Sequence, residues 1–231
     1  FDLVARVLGS KLSEQMGQQF VVENRSGGGT LSGTQVIAKA PADGYHLIVG
    51  GLSNMALNAG LYKNPGYDPL TDFIPLRIVV SHSYTLVGRK DLPFNNMKDM
   101  LAYAKANPGK ISFGSSGNYG TMHVPMEQLK AATSTFMLHV PYTGAGPAVL
   151  SLLGGQIEAL STGPASVKQH IASGRLRALA HWGDGRLASM PTVPSFKELG
   201  VPIQYSQWSG LFVPAETPAA VVDSLRQAAK F

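Results

Sequence analysis

Uncharged hydrogen-bond donors are concentrated in residues 111–130, whose sequence is ISFGSSGNYGTMHVPMEQLK. Residues 111–113 predict the end of a short buried strand, and a helical pattern begins near Thr121. The glycines, serines and asparagine between them predict a turn. This order of strand, turn and helix leaves backbone N–H groups of the first helical turn without partners, and small anions bind at such places.

Three hydroxyls in this turn, those of Ser115, Ser116 and Thr121, add donors without adding charge. A site of this kind suits a carboxylate that must later be released, because no fixed cation holds it. The same residue types also cap helices, so helix capping is the alternative interpretation of the turn.

No other pattern in the chain matches a recognisable catalytic or metal site. His123 and Glu127 lie four apart on one predicted helix face, but no third ligand is evident, which favours a hydrogen-bonded pair over a metal. Ser116 with His123 or His139 is a conceivable hydrolase pair, yet a G-x-S-x-G turn and an orienting acid are missing. The glycines at 27–29 lack the Gly-Lys-Ser/Thr ending of a phosphate loop. We therefore expect neither a cofactor nor a metal.

Composition limits the class of protein. The 231 residues are 44% hydrophobic and 14% charged, which excludes a disordered chain. The absence of cysteine removes disulfides, thiol nucleophiles and thiolate metal sites. The net charge of +5 is scattered and does not form the basic stripe that nucleic acid requires. No apolar stretch approaches the ~20 residues that span a bilayer.

Strands and helices alternate at short spacing, most clearly over residues 111–181. Besides the helix near Thr121, periodicity predicts helices at residues 2–16, 33–40, 96–107, 147–153, 164–173 and 218–229, with Asn95 or Asn96 capping the helix at 96–107. It predicts strands at residues 19–23, 45–49, 73–80, 84–89, 136–140, 156–160, 175–181 and 203–213. This alternation predicts an α/β protein with a mostly parallel sheet and helices on both faces.

A second loop of small residues, Gly50 to Asn54, follows the strand at 45–49. Ligands of open α/β sheets bind at the carboxyl ends of the strands. This loop is therefore a candidate wall of the site, and a simple turn is the alternative.

Seven stretches resemble the solute-binding proteins of tripartite tricarboxylate transporters, the group called Bug or TctC-like proteins. They cover nearly the whole chain in the family's order: VVENRSGGGTLSGTQVIAKAPADGYHL (21–47), LYKNPGYDPLTDF (61–73), AKANPGKISFGSSGNYGTMH (104–123), HVPYTGAGPAVLSLLGGQIEAL (139–160), SGRLRALA (173–180), MPTVPSFKELG (190–200) and WSGLFVPAETP (208–218).

The resemblance implies a two-lobed periplasmic-binding-protein fold of the Venus flytrap type (type II), with a mostly parallel sheet flanked by helices in each lobe. Lobe 1 is expected at residues 1–93 plus 204–231 and lobe 2 at residues 94–203. The implied protein is a periplasmic monomer that binds a small carboxylate in the interlobe cleft. It delivers that ligand to membrane permease subunits.

Carried over position by position, the resemblance implies ligand contacts in four places. Phe1 and Asp2 match the end of the first binding loop, and residues 51–54 match another wall. The second-lobe loop and two cleft positions complete the set. The expected ligand-binding residues are Phe1, Asp2, Gly51, Leu52, Ser53, Asn54, Ser115, Ser116, Asn118, Thr121, Thr143 and Thr162.

The sequence departs from the family pattern at several points. The family's first strand with its Pro-x-Gly-Gly turn, and its C-terminal tail, have no counterpart here, so the signal peptide and first strand are expected to lie outside this sequence. Leu31 stands where asparagine is usual, and Thr162 stands where aspartate is common, which widens the expected ligand class. A sensing module that signals to a regulator is the alternative output of the same fold.

Overall fold

The computed structural model describes residues 1–230 as eight α-helices and eight β-strands. The helices are α1 Asp2–Met16, α2 Leu31–Ala38, α3 Asn58–Leu61, α4 Met97–Ala106, α5 Val124–Thr133, α6 Ala145–Leu153, α7 Pro164–Ala172 and α8 Ala219–Ala228. The strands are β1 Ile48–Gly51, β2 Phe73–Ser83, β3 Thr85–Arg89, β4 Ser112–Ser115, β5 Leu138–Pro141, β6 Ala159–Thr162, β7 Leu176–His181 and β8 Ser206–Pro214. A 3₁₀ turn at Gly28–Thr30 precedes α2, and a π-helical turn at Ser53–Leu57 precedes α3.

The first compact unit consists of residues 1–81 and the C-terminal residues from Trp208. Its three-stranded sheet has the order β1-β8-β2, and β1 runs antiparallel to β8. One core cluster joins Tyr67, Phe73 and Phe212, and a second joins Val213 to buried residues of α8.

The second compact unit consists of residues 82–207 and contains a five-stranded sheet of order β5-β4-β6-β3-β7. Strand β4 pairs in parallel with β5 and β6, whereas β3 pairs antiparallel with β6 and β7. Four strands therefore share one direction and β3 alone is reversed within this sheet. Phe94, Phe113, Trp182 and Phe196 are among the largest fully buried side chains in its core.

The lobe boundaries expected from sequence remain a prediction. The compact units place residues 82–93 and 204–207 with the second unit instead of the first. The physical reason is strand pairing, because β3 is hydrogen-bonded on both sides to strands of the five-stranded sheet.

One predicted strand is wrong: residues 19–23 form no strand. The segment lies against α1, where the Phe20 N–H donates to the Ser13 hydroxyl at 2.9 Å. A side-chain acceptor thus replaces the strand partner that the alternating pattern implies.

Helix α1 itself is confirmed, ending at Gly17 in the left-handed conformation that glycine adopts without strain.

Candidate functional site

The carboxyl ends of three parallel strands gather the candidate residues of the second unit at one sheet edge. Ser112 of β4 pairs with Leu138 of β5, and Phe113 pairs with Ala159 of β6. Ser116 and Thr143 lie in the loops after β4 and β5, and Thr162 is the last residue of β6. Strand β3 begins at the same edge, since Thr85 lies opposite Thr162. Open α/β sheets bind ligands at such an edge.

The loop between β4 and α5 is longer than the sequence indicates. Helix α5 begins at Val124 and not near Thr121, with His123 as its N-terminal flanking residue. The Gly120 carbonyl accepts N–H bonds from His123 at 2.9 Å and Val124 at 3.1 Å, which makes a separate turn before the helix. Thr121 therefore lies in the loop, and the predicted helix start there is wrong.

Several backbone donors of this loop lack a protein acceptor. Within residues 1–230, the N–H groups of Ser116, Thr121 and Met122 make no hydrogen bond to a backbone or side-chain acceptor. The Ser116 hydroxyl is half-buried and likewise has no partner in the described chain. Unpaired donors of this kind at the end of a strand and the start of a helical turn form a site for an anion.

Ser115 has a different role from Ser116. Its side chain is fully buried, and its Oγ lies 2.6 Å from His139 Nε2 and 3.0 Å from the Gly117 carbonyl oxygen. The Gly117 N–H also donates to this hydroxyl at 3.2 Å. All its hydrogen-bonding capacity is used inside the unit, so Ser115 fixes the loop and does not present a free donor.

Two histidines lie beneath the loop. The rings of His123 and His139 stack with centroids 3.9 Å apart at 13°, and Phe113 stacks on His139 at 5.0 Å. Burial lowers the pKa of His139 to about 4, helped by the neighbouring His123. Burial also lowers the pKa of His123, although Glu127 acts in the opposite direction. Both imidazoles are therefore neutral at pH 7.

The Tyr119 backbone is tied to this pair. Tyr119 has φ 59°, a left-handed conformation that costs a non-glycine residue about 1 kcal/mol or more. Its N–H donates to His123 Nδ1 at 3.0 Å, and its ring lies 6.0 Å from that imidazole.

The predicted His123–Glu127 pair is present as well, with His123 Nε2 3.4 Å from Glu127 Oε1. No group of three or more metal-ligating side chains exists among residues 1–230.

The side chain of Thr121 meets a tyrosine that sequence reasoning missed. Tyr84 Oη lies 3.0 Å from Thr121 Oγ1, and both residues are buried. Tyr205 packs on Tyr84 with ring centroids 5.9 Å apart, and its buried hydroxyl has no partner in the described chain. Tyr84 and Tyr205 are distant in sequence from the glycine-rich turn, so nothing in their local patterns indicates the site.

Three second-unit candidates remain, at the ends of the neighbouring strands and in the β4–α5 loop. Thr143 is exposed after β5, and Thr162 is buried at the end of β6. Asn118 is exposed and has an interaction of its own. Tyr142, between β5 and Thr143, bonds the Ser151 hydroxyl and so belongs to the packing of α6.

In the first unit, residues 51–54 form the end of β1 and the start of a helical turn. The Gly51 N–H donates to Asn54 Oδ1 at 2.8 Å, and Asn54 Nδ2 donates to Thr34 Oγ1 at 3.0 Å. Ser53 donates to the Gly29 carbonyl at 3.1 Å. These side chains thus support the turn, while the N–H groups of Leu52 and Ser53 have no acceptor within the described chain.

The glycine run at 27–29 is shaped to fit this turn. Gly27, Gly28, Gly29 and Thr30 all have positive φ, which folds the chain tightly before α2. Asn58 reaches Thr30 Oγ1 at 3.3 Å and the Tyr67 hydroxyl at 3.2 Å. The glycine run at 27–29 therefore supports the turn at residues 51–54. Leu31, which stands where the resemblance led us to expect asparagine, packs on the core cluster of Tyr67, Phe73 and Phe212.

Phe1 and Asp2, the first two predicted contacts, are both exposed. The Asp2 carboxylate accepts from Asn24 at 2.6 Å and from Arg6 at 3.2 Å. The Asn24 and Arg6 bonds hold its pKa below the usual value, so Asp2 is ionised at pH 7. An ionised carboxylate repels an anionic ligand. Such a ligand would therefore contact this segment through the backbone and not through the Asp2 side chain.

None of the helices described over residues 1–230 has the length and apolar character that crossing a membrane demands.

Comparison with known proteins identifies the family. Residues 4–231 match the family described as the tripartite tricarboxylate transporter family receptor, TctC. The chain spans about two thirds of the length of the curated relatives that it matches.

Solved structures of related proteins agree closely with this chain. The periplasmic binding protein BugD is 35% identical with a TM-score of 0.93, covering 98% of this chain and 77% of BugD. Rpa4515 of Rhodopseudomonas palustris with adipate is 32% identical with a TM-score of 0.94 over 99% of this chain and 77% of its own. MatC of the same organism with bound malate is 27% identical with a TM-score of 0.94 over 99% of this chain and 78% of its own.

These matches confirm the two-lobed periplasmic-binding-protein fold class and the resemblance to Bug proteins. The relatives in this group are binding proteins. The chain belongs to the TctC family of tripartite tricarboxylate transporter receptors.

Proposed function

We propose that this protein is a receptor that captures a small carboxylate and delivers it to a tripartite tricarboxylate transporter. One observation carries the proposal: the N–H groups of Ser116, Thr121 and Met122, with the Ser116 hydroxyl, are unpaired at the carboxyl end of a strand. The adipate of Rpa4515 and the malate of MatC support the ligand class.

The chemistry of these donors favours reversible capture. Hydrogen bonds from neutral donors to a charged group each stabilise a complex by about 1.5–3 kcal/mol. Three or four of them hold a carboxylate firmly, and the absence of a fixed cation lets it leave again. No arginine or lysine is needed in this arrangement.

In this proposal the first unit contributes its own donors, the N–H groups of Leu52 and Ser53. A receptor that changes shape on binding requires a ligand with different affinities for its two forms. The donors of each unit are our candidates for that difference. Thr143 and Thr162 then adjust the fit to the distal part of the acid.

A hydrolase reading finds less support in the same residues. His139 contacts Ser115 at 2.6 Å, but that hydroxyl is fully buried and a pKa of about 4 makes His139 a weak base. The Ser116 hydroxyl has neither His123 nor His139 as a hydrogen-bond partner within residues 1–230. We infer that the protein is not an enzyme.

The remaining parts of the proposal follow from the family. We infer a periplasmic location, a monomeric state and membrane permease subunits as partners. A regulator that reads the closed form is the alternative output. Binding of the loaded protein to vesicles that contain the permease subunits distinguishes transport from sensing.

A thermal-shift screen tests the proposal directly. The panel contains mono-, di- and tricarboxylates, amino acids and aromatic acids, each paired with its amide as a control for the charge. A ligand at ~100 times its dissociation constant stabilises the protein by about 2.7 kcal/mol. If no acid raises the melting temperature above its amide, the receptor proposal fails.

A further inference from the structure

Two imidazoles hold the β4–α5 loop from below at two separate points. His139 Nε2 lies 2.6 Å from Ser115 Oγ at the start of the loop, and His123 Nδ1 accepts the Tyr119 N–H at 3.0 Å in its middle. The stacked rings join the two points into one support. The unpaired donors of Ser116 and Thr121 lie within the stretch that this support fixes.

The hydrogen bonds determine the tautomer of the neutral His123 ring. Since Nδ1 accepts from a backbone N–H, the proton of the neutral ring is on Nε2, which faces Glu127 at 3.4 Å. A second proton would occupy Nδ1 and oppose the Tyr119 N–H. Tyr119 would then lose the bond that holds its left-handed backbone in place.

Burial keeps both imidazoles neutral, while the charges around the pair act in opposite directions. Glu127 attracts a proton to His123 and His139, whereas Lys130 opposes it and is itself bonded to Glu127 at 2.7 Å. Lys130 also lies over the Phe113 ring, on which His139 stacks. A proton on either imidazole would place a cation 3.9 Å from its neighbour's ring in a half-buried site.

We propose that His123 and His139 are positioning residues, a neutral imidazole pair that holds the β4–α5 loop in its binding conformation and releases it when the pair takes up a proton. The pair touches the loop and needs no contact with a ligand. The effect on ligand affinity rests on the proposed function, whereas the effect on loop conformation does not. Ligand affinity therefore falls in acid beyond what protonation of the ligand itself explains.

Hydrogen exchange of the Tyr119 amide, followed by NMR, tests the support without any ligand. In the wild type, protection of this amide relative to the α5 amides falls between about pH 7 and about pH 5. The variant His123→Gln offers a neutral acceptor that cannot be protonated, so its protection stays constant with pH. His123→Leu has no acceptor and shows low protection throughout. His46→Gln, which removes a half-exposed histidine of the first unit, behaves as the wild type.

Calorimetric titration with adipate and malate tests the effect on binding. Between about pH 7 and about pH 5, the affinity of the wild type falls more than the affinity of His123→Gln. The difference is at most about tenfold per pH unit for each proton that is taken up. If the protein binds neither acid, the exchange result alone decides the role of the pair. Equal pH dependence in wild type and His123→Gln, in exchange or in affinity, overturns the positioning role.

Discussion

Two adjacent serines show how much a single hydroxyl depends on its surroundings. Ser115 and Ser116 are equivalent in sequence, and both were expected to contact a ligand. The structure buries Ser115 against His139 and Gly117 and leaves the Ser116 hydroxyl without a protein partner in the described chain. The difference arises because side chains alternate across a strand end, so one serine faces the core and the next faces the edge.

This difference predicts opposite outcomes for the two alanine variants. Ser116→Ala weakens binding of an identified carboxylate about tenfold, since one donor to a charged group is lost, and leaves the free energy of unfolding within about 0.5 kcal/mol of wild type. Ser115→Ala lowers the free energy of unfolding by about 1–3 kcal/mol, because its buried partners become unpaired. Calorimetric titration and urea unfolding measure both.

Ser224→Ala, an exposed position on α8, serves as the matched control. It should change neither affinity nor stability appreciably. A loss of affinity in Ser115→Ala alone, with Ser116→Ala unaffected, would contradict the assignment of donor and anchor.

At the scale of elements, local signals locate some boundaries and miss others. Helix α1 begins and ends as predicted because its stop signal, Gly17, acts within the chain itself. Helix α5 begins later than predicted because Gly120 closes a separate turn that the glycine-rich pattern does not distinguish from a helix start. The predicted strand at 19–23 fails because strand formation requires a partner that local sequence cannot specify. The π-helical turn at Ser53–Leu57 likewise has no local signal.

Helix α4 allows a test of one such local signal. The sequence left Asn95 and Asn96 as alternative caps, and in the structure Asn96 Oδ1 accepts the Asp99 N–H at 2.9 Å. Asn96→Ala should therefore lower the free energy of unfolding by about 1 kcal/mol. Asn95→Ala, at an equally exposed neighbour, should change it by less than about 0.5 kcal/mol. Urea unfolding of both variants decides, and equal losses would contradict the cap.

At the scale of the whole molecule, the family resemblance predicted more than periodicity did. Alternating elements indicate an α/β protein, but they do not specify that β3 is reversed or that residues beyond 208 return to the first unit. Strand order depends on pairing between residues far apart in sequence. The candidate site shows the same limit, since the glycine-rich turn was found from sequence while Tyr84 and Tyr205 required the fold to bring them to it.

The titrating groups predict how the stability of the whole chain varies with pH. Burial lowers the pKa of His123, His139 and His181, so on acidification the unfolded chain binds protons before the folded chain does. The stability that these neutral histidines contribute is therefore fully present above the ordinary histidine pKa of about 6.5. It is lost as the pH falls towards about 4. Carboxylates with lowered pKa, such as Asp184 beside Lys197, extend the loss to lower pH.

Urea unfolding midpoints measured from about pH 8 down to about pH 4 check this sign. The midpoint should be level above about pH 7 and should decline below it. His139→Gln should flatten the decline, because glutamine can donate to Ser115 Oγ without titrating. A midpoint that rises between about pH 7 and about pH 5 would mean that the folded chain takes up protons more readily than the unfolded chain. That outcome is incompatible with imidazoles kept neutral by burial.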